Sequence, residues 1–388
     1  MKKRAALFGV AALLTGLALA QSAYTFTVNG KPVRLETTEK GGKVYVEATS
    51  FARALGASVT LDPKARSLVI VSGTPGALAE VQGTTQLAGG EGALGKTYSL
   101  GKTDNALNFT LRSAEYSLAP VTVGTSVYSA RAGEKLLVLR YTVQNPQKRE
   151  VSVSYSAFKI TAIDARDVNH VFDNFVAREG GSDIYSSSLK PAQKIDLYLA
   201  FAVPAAGQVP KLIVERGDSS PVLRYDLRGK VKGFAAPFAD PADASGAGVP
   251  AEIAAKPGAV YPMGSLGVRF EGAAYSTDKF EGRAPDSGKR YLVGTFTVRN
   301  LLGSTAQPVR YSYSNFKVTL RDAEDGKQSF GGYLIKPSRD EHADGTLNAG
   351  EEAKFRVYFL LPGDLAAKSI SIAEGESHAY AFDVSGSK

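Results

Sequence analysis

Ser152-Val-Ser-Tyr-Ser-Ala-Phe-Lys-Ile-Thr161 returns later in the chain as Arg310-Tyr-Ser-Tyr-Ser-Asn-Phe-Lys-Val-Thr319. The agreement spreads outward on both sides. Lys135-Leu-Leu-Val-Leu-Arg-Tyr-Thr-Val143 with Asn145 matches Tyr291-Leu-Val-Gly-Thr-Phe-Thr-Val298 with Asn300, Phe158 matches Phe316, and Pro204 matches Pro362. One β-rich unit is therefore carried twice. Its runs are short, rich in β-branched and aromatic residues, and punctuated by turn signals about every ten to fifteen residues, which predicts an antiparallel sandwich. The copies are expected at 106–230 and 265–388. A Gly-rich linker (73–105) is expected before the first copy and an Ala/Pro/Gly-rich linker (231–264) between the two.

The chain starts with Lys2-Lys3-Arg4 and an apolar run from Ala5 to Ala20. That run is shorter than the roughly 20 residues a membrane-spanning helix needs, and Ala18-Leu19-Ala20 supplies small residues for a signal peptidase. Residues 1–20 thus read as a secretory signal peptide, with the mature chain starting at Gln21. The expected location is exported, in the periplasm or at the cell surface. No residue of this stretch is Cys, so a lipoprotein anchor is excluded, and no later apolar run is long enough to span a bilayer.

Composition removes several chemistries. With no Cys among 388 residues, disulfides, thiol catalysis and thiolate metal sites are excluded. Folding must rest on buried apolar area, and 44% hydrophobic residues supply it. The formal charge of +8 falls by three once Lys2, Lys3 and Arg4 are removed, and the remaining basic residues do not cluster. Trp is absent. Nucleic acid, which wants a basic stripe interleaved with stacking aromatics, is not an expected partner. There is no Gly-x-Ser-x-Gly elbow, and no catalytic residue is assigned.

Before the repeats, 21–72 reads as a small ββαββ module. Alternation through Tyr24–Val28 meets a turn at Asn29-Gly30, Gly41-Gly42 precedes Lys43–Val46, and Ala48–Leu55 has helical spacing closed by Gly56. The series Val28-Asn-Gly-Lys-Pro-Val33, Gly42-Lys-Val-Tyr-Val46, Phe51-Ala52, Leu55-Gly-Ala-Ser-Val59 and Val69-Ile-Val71 resembles the copper amine oxidase N-terminal-like domain of exported bacterial envelope proteins. That resemblance implies an appended interaction module, since the copper chemistry of true amine oxidases lies in a separate large domain. The repeats, with their Gly-x-Lys/Arg…Val-x-Asn and Ser-x-Phe-Lys patterns, resemble immunoglobulin-like modules of secreted bacterial proteins. The fold class is accordingly mainly β: a small ββαββ module and two tandem antiparallel immunoglobulin-like sandwiches.

Two candidate sites stand out. In the repeated segment, Tyr155 of the first copy and Tyr311 and Tyr313 of the second are expected along a strand, where period two puts Tyr311 and Tyr313 on one face as a binding surface. The loop around Asp340, Glu341, His342 and Asp344 is the densest gathering of metal-competent atoms, although its spacing is not that of a calcium hand. Copper would need His170, His342 and His378 to converge from different modules. The expected role is a non-catalytic binding or assembly subunit of the envelope, associated with a surface layer, needing no cofactor, and contacting envelope proteins or surface polymers. The alternative is a copper-binding, superoxide dismutase-like redox protein within an envelope complex.

Overall fold

The structure is a computed structural model and describes residues 26–28, 31–33, 35, 37–54, 57–62, 67–72, 89–102, 104–217 and 221–388. The signal peptide, the Asn29-Gly30 turn and the Gly56 cap lie outside the described residues. The chain divides into two units, 1–84 and 85–388.

The first unit holds three antiparallel strand pairs and one short helix, which packs on the strand Ala57–Asp62. Phe26–Val28 pairs with Lys31–Val33, Thr37–Lys40 with Lys43–Val46, and Ala57–Asp62 with Ser67–Ser72. Gly41 and Gly42 both have positive φ (61° and 72°), the geometry a two-residue hairpin turn demands. The helix Ala48–Ala54 is capped by Glu47, whose carboxylate accepts the Thr49 N–H at 3.0 Å and the Ser50 N–H at 2.5 Å. Thr37–Lys40 is a strand that sequence reasoning omitted, because Thr-Thr-Glu-Lys carries no apolar alternation.

The second unit holds both sandwiches, and their topology repeats. In the first, one sheet runs Ala177–Arg178, Lys194–Pro204, Glu134–Gln144, Leu107–Ser117, Thr97–Leu100; the facing sheet runs Asn169–Phe172, Lys159–Ile163, Lys211–Glu215, Val222–Asp226, Gly89–Gly92. In the second, Tyr261–Met263, Leu266–Ser276, Lys289–Asn300 and Glu352–Pro362 face Glu252–Ala255, Ala379–Asp383, Ala367–Glu374, Phe316–Asp322 and Lys327–Ser329. Both copies begin with an edge strand parallel to the last strand of the copy. Both also place a bulge in the strand beside the central one, at Arg112 and at Glu271.

Three expectations need correction. The segment read as the first linker contributes Gly89–Gly92 and Thr97–Leu100 to the sheets of the first sandwich. Its glycines hid the strands: a Cβ on Gly92 would fall 2.6 Å from the Tyr225 ring. Next, 231–264 is no free tether. Phe234 stacks on Tyr116 at 6.1 Å, Phe238 packs on Tyr261, and Glu252–Ala255 and Tyr261–Met263 are strands of the second sandwich. Finally, the strand expected through Tyr155 in the first copy and that through Tyr311 and Tyr313 in the second are each broken by a single 3-10 turn, Tyr155–Ala157 and Tyr313–Asn315.

The sandwiches share apolar packing. Along Glu134–Gln144, Leu137, Leu139, Tyr141 and Val143 fill the first core, while Leu136 and Val138, on the opposite face, join Ala200 in the cluster that contains Val268, Phe296 and Ile370 of the second copy. Lys135 is fully buried beside them. Its ammonium donates to the carbonyls of Ala205 (3.2 Å), Gly207 (2.5 Å) and Ala247 (2.5 Å) and lies 4.2 Å from the Tyr116 ring centroid. Burial pushes this amine down to about 8, and three carbonyls plus a ring face replace the water it gave up. The connector is thereby fastened to the first sandwich. Polar bonds join the copies as well: Gly303 N–H to Thr122 Oγ1 (3.0 Å), Ala132 N–H to the Glu376 carbonyl (2.7 Å), and His378 Nε2 to the Glu134 carbonyl (2.6 Å).

Candidate functional site

The 3-10 turn of the second copy puts Tyr313 on the surface, 48% exposed. It meets Tyr333, itself 44% exposed, with ring centroids 4.7 Å apart and planes at 69°. The other neighbour of Tyr333 is His342, stacked on it at 4.1 Å and 16°. The three rings form the corner of a groove of about 550 Å³ whose remaining walls include Arg310, Asn315 and Asp344.

The corner is held from behind. Glu281, at φ 51°, accepts the Tyr333 N–H at 3.1 Å through one carboxylate oxygen and the Tyr358 hydroxyl at 2.5 Å through the other; His342 Nε2 lies 3.7 Å from it. Asp340 accepts the N–H groups of Gly282 (2.9 Å) and Glu281 (2.7 Å), which fixes that left-handed residue and holds the Asp340 carboxyl below its ordinary range. Beneath, Phe280, Tyr291 and Tyr358 pack as mutual neighbours 5.0–5.4 Å apart. Burial and the adjacent Glu281 carboxylate push the Tyr358 hydroxyl upward. Gly332 is required here, since a Cβ would lie 2.8 Å from the Tyr358 hydroxyl oxygen.

The predicted residues divide between different tasks. Asp340 turns to the 281–282 backbone, and Glu341 pairs with Lys336 (2.8 Å) and Arg339 (3.4 Å), whose charges lower its carboxyl. Only His342 and Asp344 of the proposed metal set line the groove. Among the described residues no three His, Asp or Glu side chains are placed to hold a metal ion. His170 sits 3.1 Å from Asp164 and His378 is buried between the copies, so the three imidazoles belong to three separate neighbourhoods. Tyr311 is also separated from Tyr313. It ends the short strand Val309–Tyr311, pairs with Gly345 and packs partly buried against the core, where burial raises its hydroxyl. The strand breaks at Ser312, so the two tyrosines do not share one face.

Tyr155 has the corresponding place in the first copy. It is 45% exposed and meets Phe175, 38% exposed, at 5.5 Å and 76°. The matching is residue by residue. The bridge Ala177–Ile184 corresponds to Ile335–His342, and Tyr185 N–H to Val176 carbonyl (2.8 Å) corresponds to Ala343 N–H to Leu334 carbonyl (2.7 Å). Phe175 thus stands where the second copy has Tyr333, and Ile184 where it has His342. Sequence reasoning missed Phe175, Tyr333, Arg310 and Asn315. The signal was present: an exposed aromatic sits at matching positions of both loops, one following Gly331-Gly332, once the copies are aligned through the Tyr-Ser-x-Phe segment.

Residues 98–221, most of the first sandwich, match the profile of a family described as a domain of unknown function, DUF4352. No curated protein matches the chain. Among solved structures, an uncharacterized β-sandwich protein of Clostridium difficile aligns at 16% identity over 37% of this chain and 98% of its own, with a TM-score of 0.28. The secreted protein MPT63 of Mycobacterium tuberculosis aligns at 18% identity over 36% and 99%, with a TM-score of 0.28. The yjhA protein of Bacillus subtilis aligns at 17% identity over 33% and 98%, with a TM-score of 0.23. The strands, sheets and sandwich packing described above make this chain mainly β. Among the described residues no helix is long and apolar enough to cross a membrane.

Proposed function

We propose that this chain is an exported, non-catalytic binding or assembly subunit of the cell envelope, associated with the surface layer and contacting envelope proteins or polymers. The small N-terminal unit, with a capped helix among hairpins, acts as the amine-oxidase-like interaction module that its sequence resembles. One observation carries the reading. Both copies leave an aromatic pair at a steep angle half-exposed at the same turn, where covering by a partner would gain about 1.5–3 kcal/mol per fully buried ring. That the exposure recurs at the same place in both copies supports a partner-facing role.

The test is co-sedimentation of purified chain with isolated envelope fragments, comparing wild type with Tyr155→Ala/Phe175→Ala and Tyr313→Ala/Tyr333→Ala. Each pair is at the surface, so the thermal midpoint should hold while retention falls. Wild-type protein that stays in the supernatant, or variants retained as well as wild type, would refute the reading.

A further inference from the structure

We infer that the groove at Tyr313 and Tyr333 is a saccharide site, reading a neutral sugar ring through its apolar C–H face; this rests on the binding role proposed above. The two copies provide the comparison. Both carry the aromatic corner, but only the second surrounds it with polar groups. Arg310, Asn315, His342 and Asp344 occupy the positions of Ser152, Ala157, Ile184 and Ser186. A purely apolar or peptide-packing surface has no need of that set. In the first copy the position of His342 is taken by Ile184, an aliphatic side chain that packs against Gly124.

The chemistry of the set is specific. A pyranose ring has one or two faces of C–H bonds and a rim of hydroxyls that both donate and accept. Tyr333 and Tyr313, set at 69°, present half-exposed rings of different orientation to the C–H face, with His342 covering one face of Tyr333. Tyrosine is suited to this, since only two side-chain torsions are lost on contact. The rim can then be met by donors from Arg310 and Asn315 and by the Asp344 acceptor. Asn315 already uses its Oδ1 to accept the Ser312 hydroxyl (2.8 Å), which orients the amide and leaves Nδ2 for a ligand oxygen. Neither Arg310 nor Asp344 forms an ion pair among the described residues, so both are available to a ligand.

Charge argues for a neutral sugar. Arg310 is the cation of the groove and Asp344 its anion, and they offset one another. The net positive charge of the chain is therefore not focused here, and a polyanionic glycan gains no net attraction from the pair. Rigidity favours recognition too, because Glu281, itself held by Asp340 and Tyr358, accepts the Tyr333 N–H and fixes that backbone before any ligand arrives.

Saturation-transfer NMR on the full chain tests this, with a β-1,4-linked N-acetylglucosamine tetramer and a β-1,3-glucan pentamer as neutral probes, a sulfated disaccharide as the anionic probe, and an uncharged proline-rich peptide. The expected result is transfer to ring C–H protons of at least one neutral probe. Affinity should fall roughly tenfold in Tyr333→Ala, the loss of one stacking contact, and be kept in Tyr333→Phe. Val171→Ala, an exposed change in the first copy, should leave it unchanged. Binding of neither neutral probe, binding that survives Tyr333→Ala, or preference for the sulfated probe or the peptide would overturn the saccharide assignment. In each of those cases envelope retention that still depends on the aromatic corners leaves the binding role standing, whereas loss of that dependence removes both.

Discussion

Asn300→Ala should destabilise the second unit by about 2–6 kcal/mol, and the equivalent Asn145→Ala by less, although Asn145 makes more hydrogen bonds. Asn300 is 2% exposed; its Nδ2 donates to the Leu347 carbonyl (2.9 Å) and its Oδ1 accepts the Leu302 N–H (2.9 Å), both bonds being fully buried. Truncation strands a carbonyl and an N–H where water does not reach, each costing about 1–3 kcal/mol. Asn145 donates to the Leu189 carbonyl (2.8 Å) and the Arg149 carbonyl (2.8 Å) and accepts the Gln147 N–H (2.8 Å). Of these only the Leu189 bond is deeply buried, while Arg149 is exposed and its carbonyl and the Gln147 amide can turn to water. The expected loss there is about 1–3 kcal/mol. Asn300→Asp keeps the acceptor but faces the Leu347 carbonyl with a carboxylate oxygen, so it should cost no less than Ala. Urea unfolding followed by circular dichroism measures this, with a shifted midpoint at constant slope. An Asn145→Ala loss exceeding that of Asn300→Ala, or a neutral Asn300→Asp, would show that buried backbone groups are not what these side chains satisfy.

Val138→Ala, which trims a side chain packed between the copies, should cost about 1–3 kcal/mol and move a single unfolding transition common to both sandwiches. Two transitions in calorimetry, with only one displaced, would contradict shared packing. Burial lowers the His378 imidazole below its ordinary value, so the folded state resists the proton that the unfolded state takes up as pH falls through about 6.5. Stability should therefore fall with decreasing pH from near neutrality until the folded-state imidazole also protonates. The wild-type minus His378→Gln difference in urea midpoint isolates this slope from the carboxylates, and a flat difference between about pH 7.5 and 5.5 would refute it.

The duplicated architecture was legible because it lives in local pattern. The long strands announced themselves through β-branched and aromatic runs, and the two Asn residues through their place after the central strand. The edge strands did not, since Gly89-Gly-Glu-Gly92 has neither alternation nor β propensity and forms a strand only where the Tyr225 ring leaves room for glycine alone. The break at Ser154 and Ser312 was equally hidden: Tyr155 and Tyr313 lie in apolar alternation that looks continuous, yet the chain must turn there to leave the short strand for the facing sheet.

For the site, sequence alone determined which residue types were at hand and that the copies share aromatics but differ in charged and imidazole side chains. Tertiary structure decided which of them meet. It drew Asp340 and Glu341 away to backbone and basic partners, kept His170, His342 and His378 apart, and brought Tyr333 from a distant loop against Tyr313. The physical reason is that each carboxylate and imidazole takes the nearest partner the fold offers, and the fold is set by apolar burial over the whole sandwich. Residue identity limits the chemistry of the groove; only the packing of two loops on one sheet edge makes it a groove.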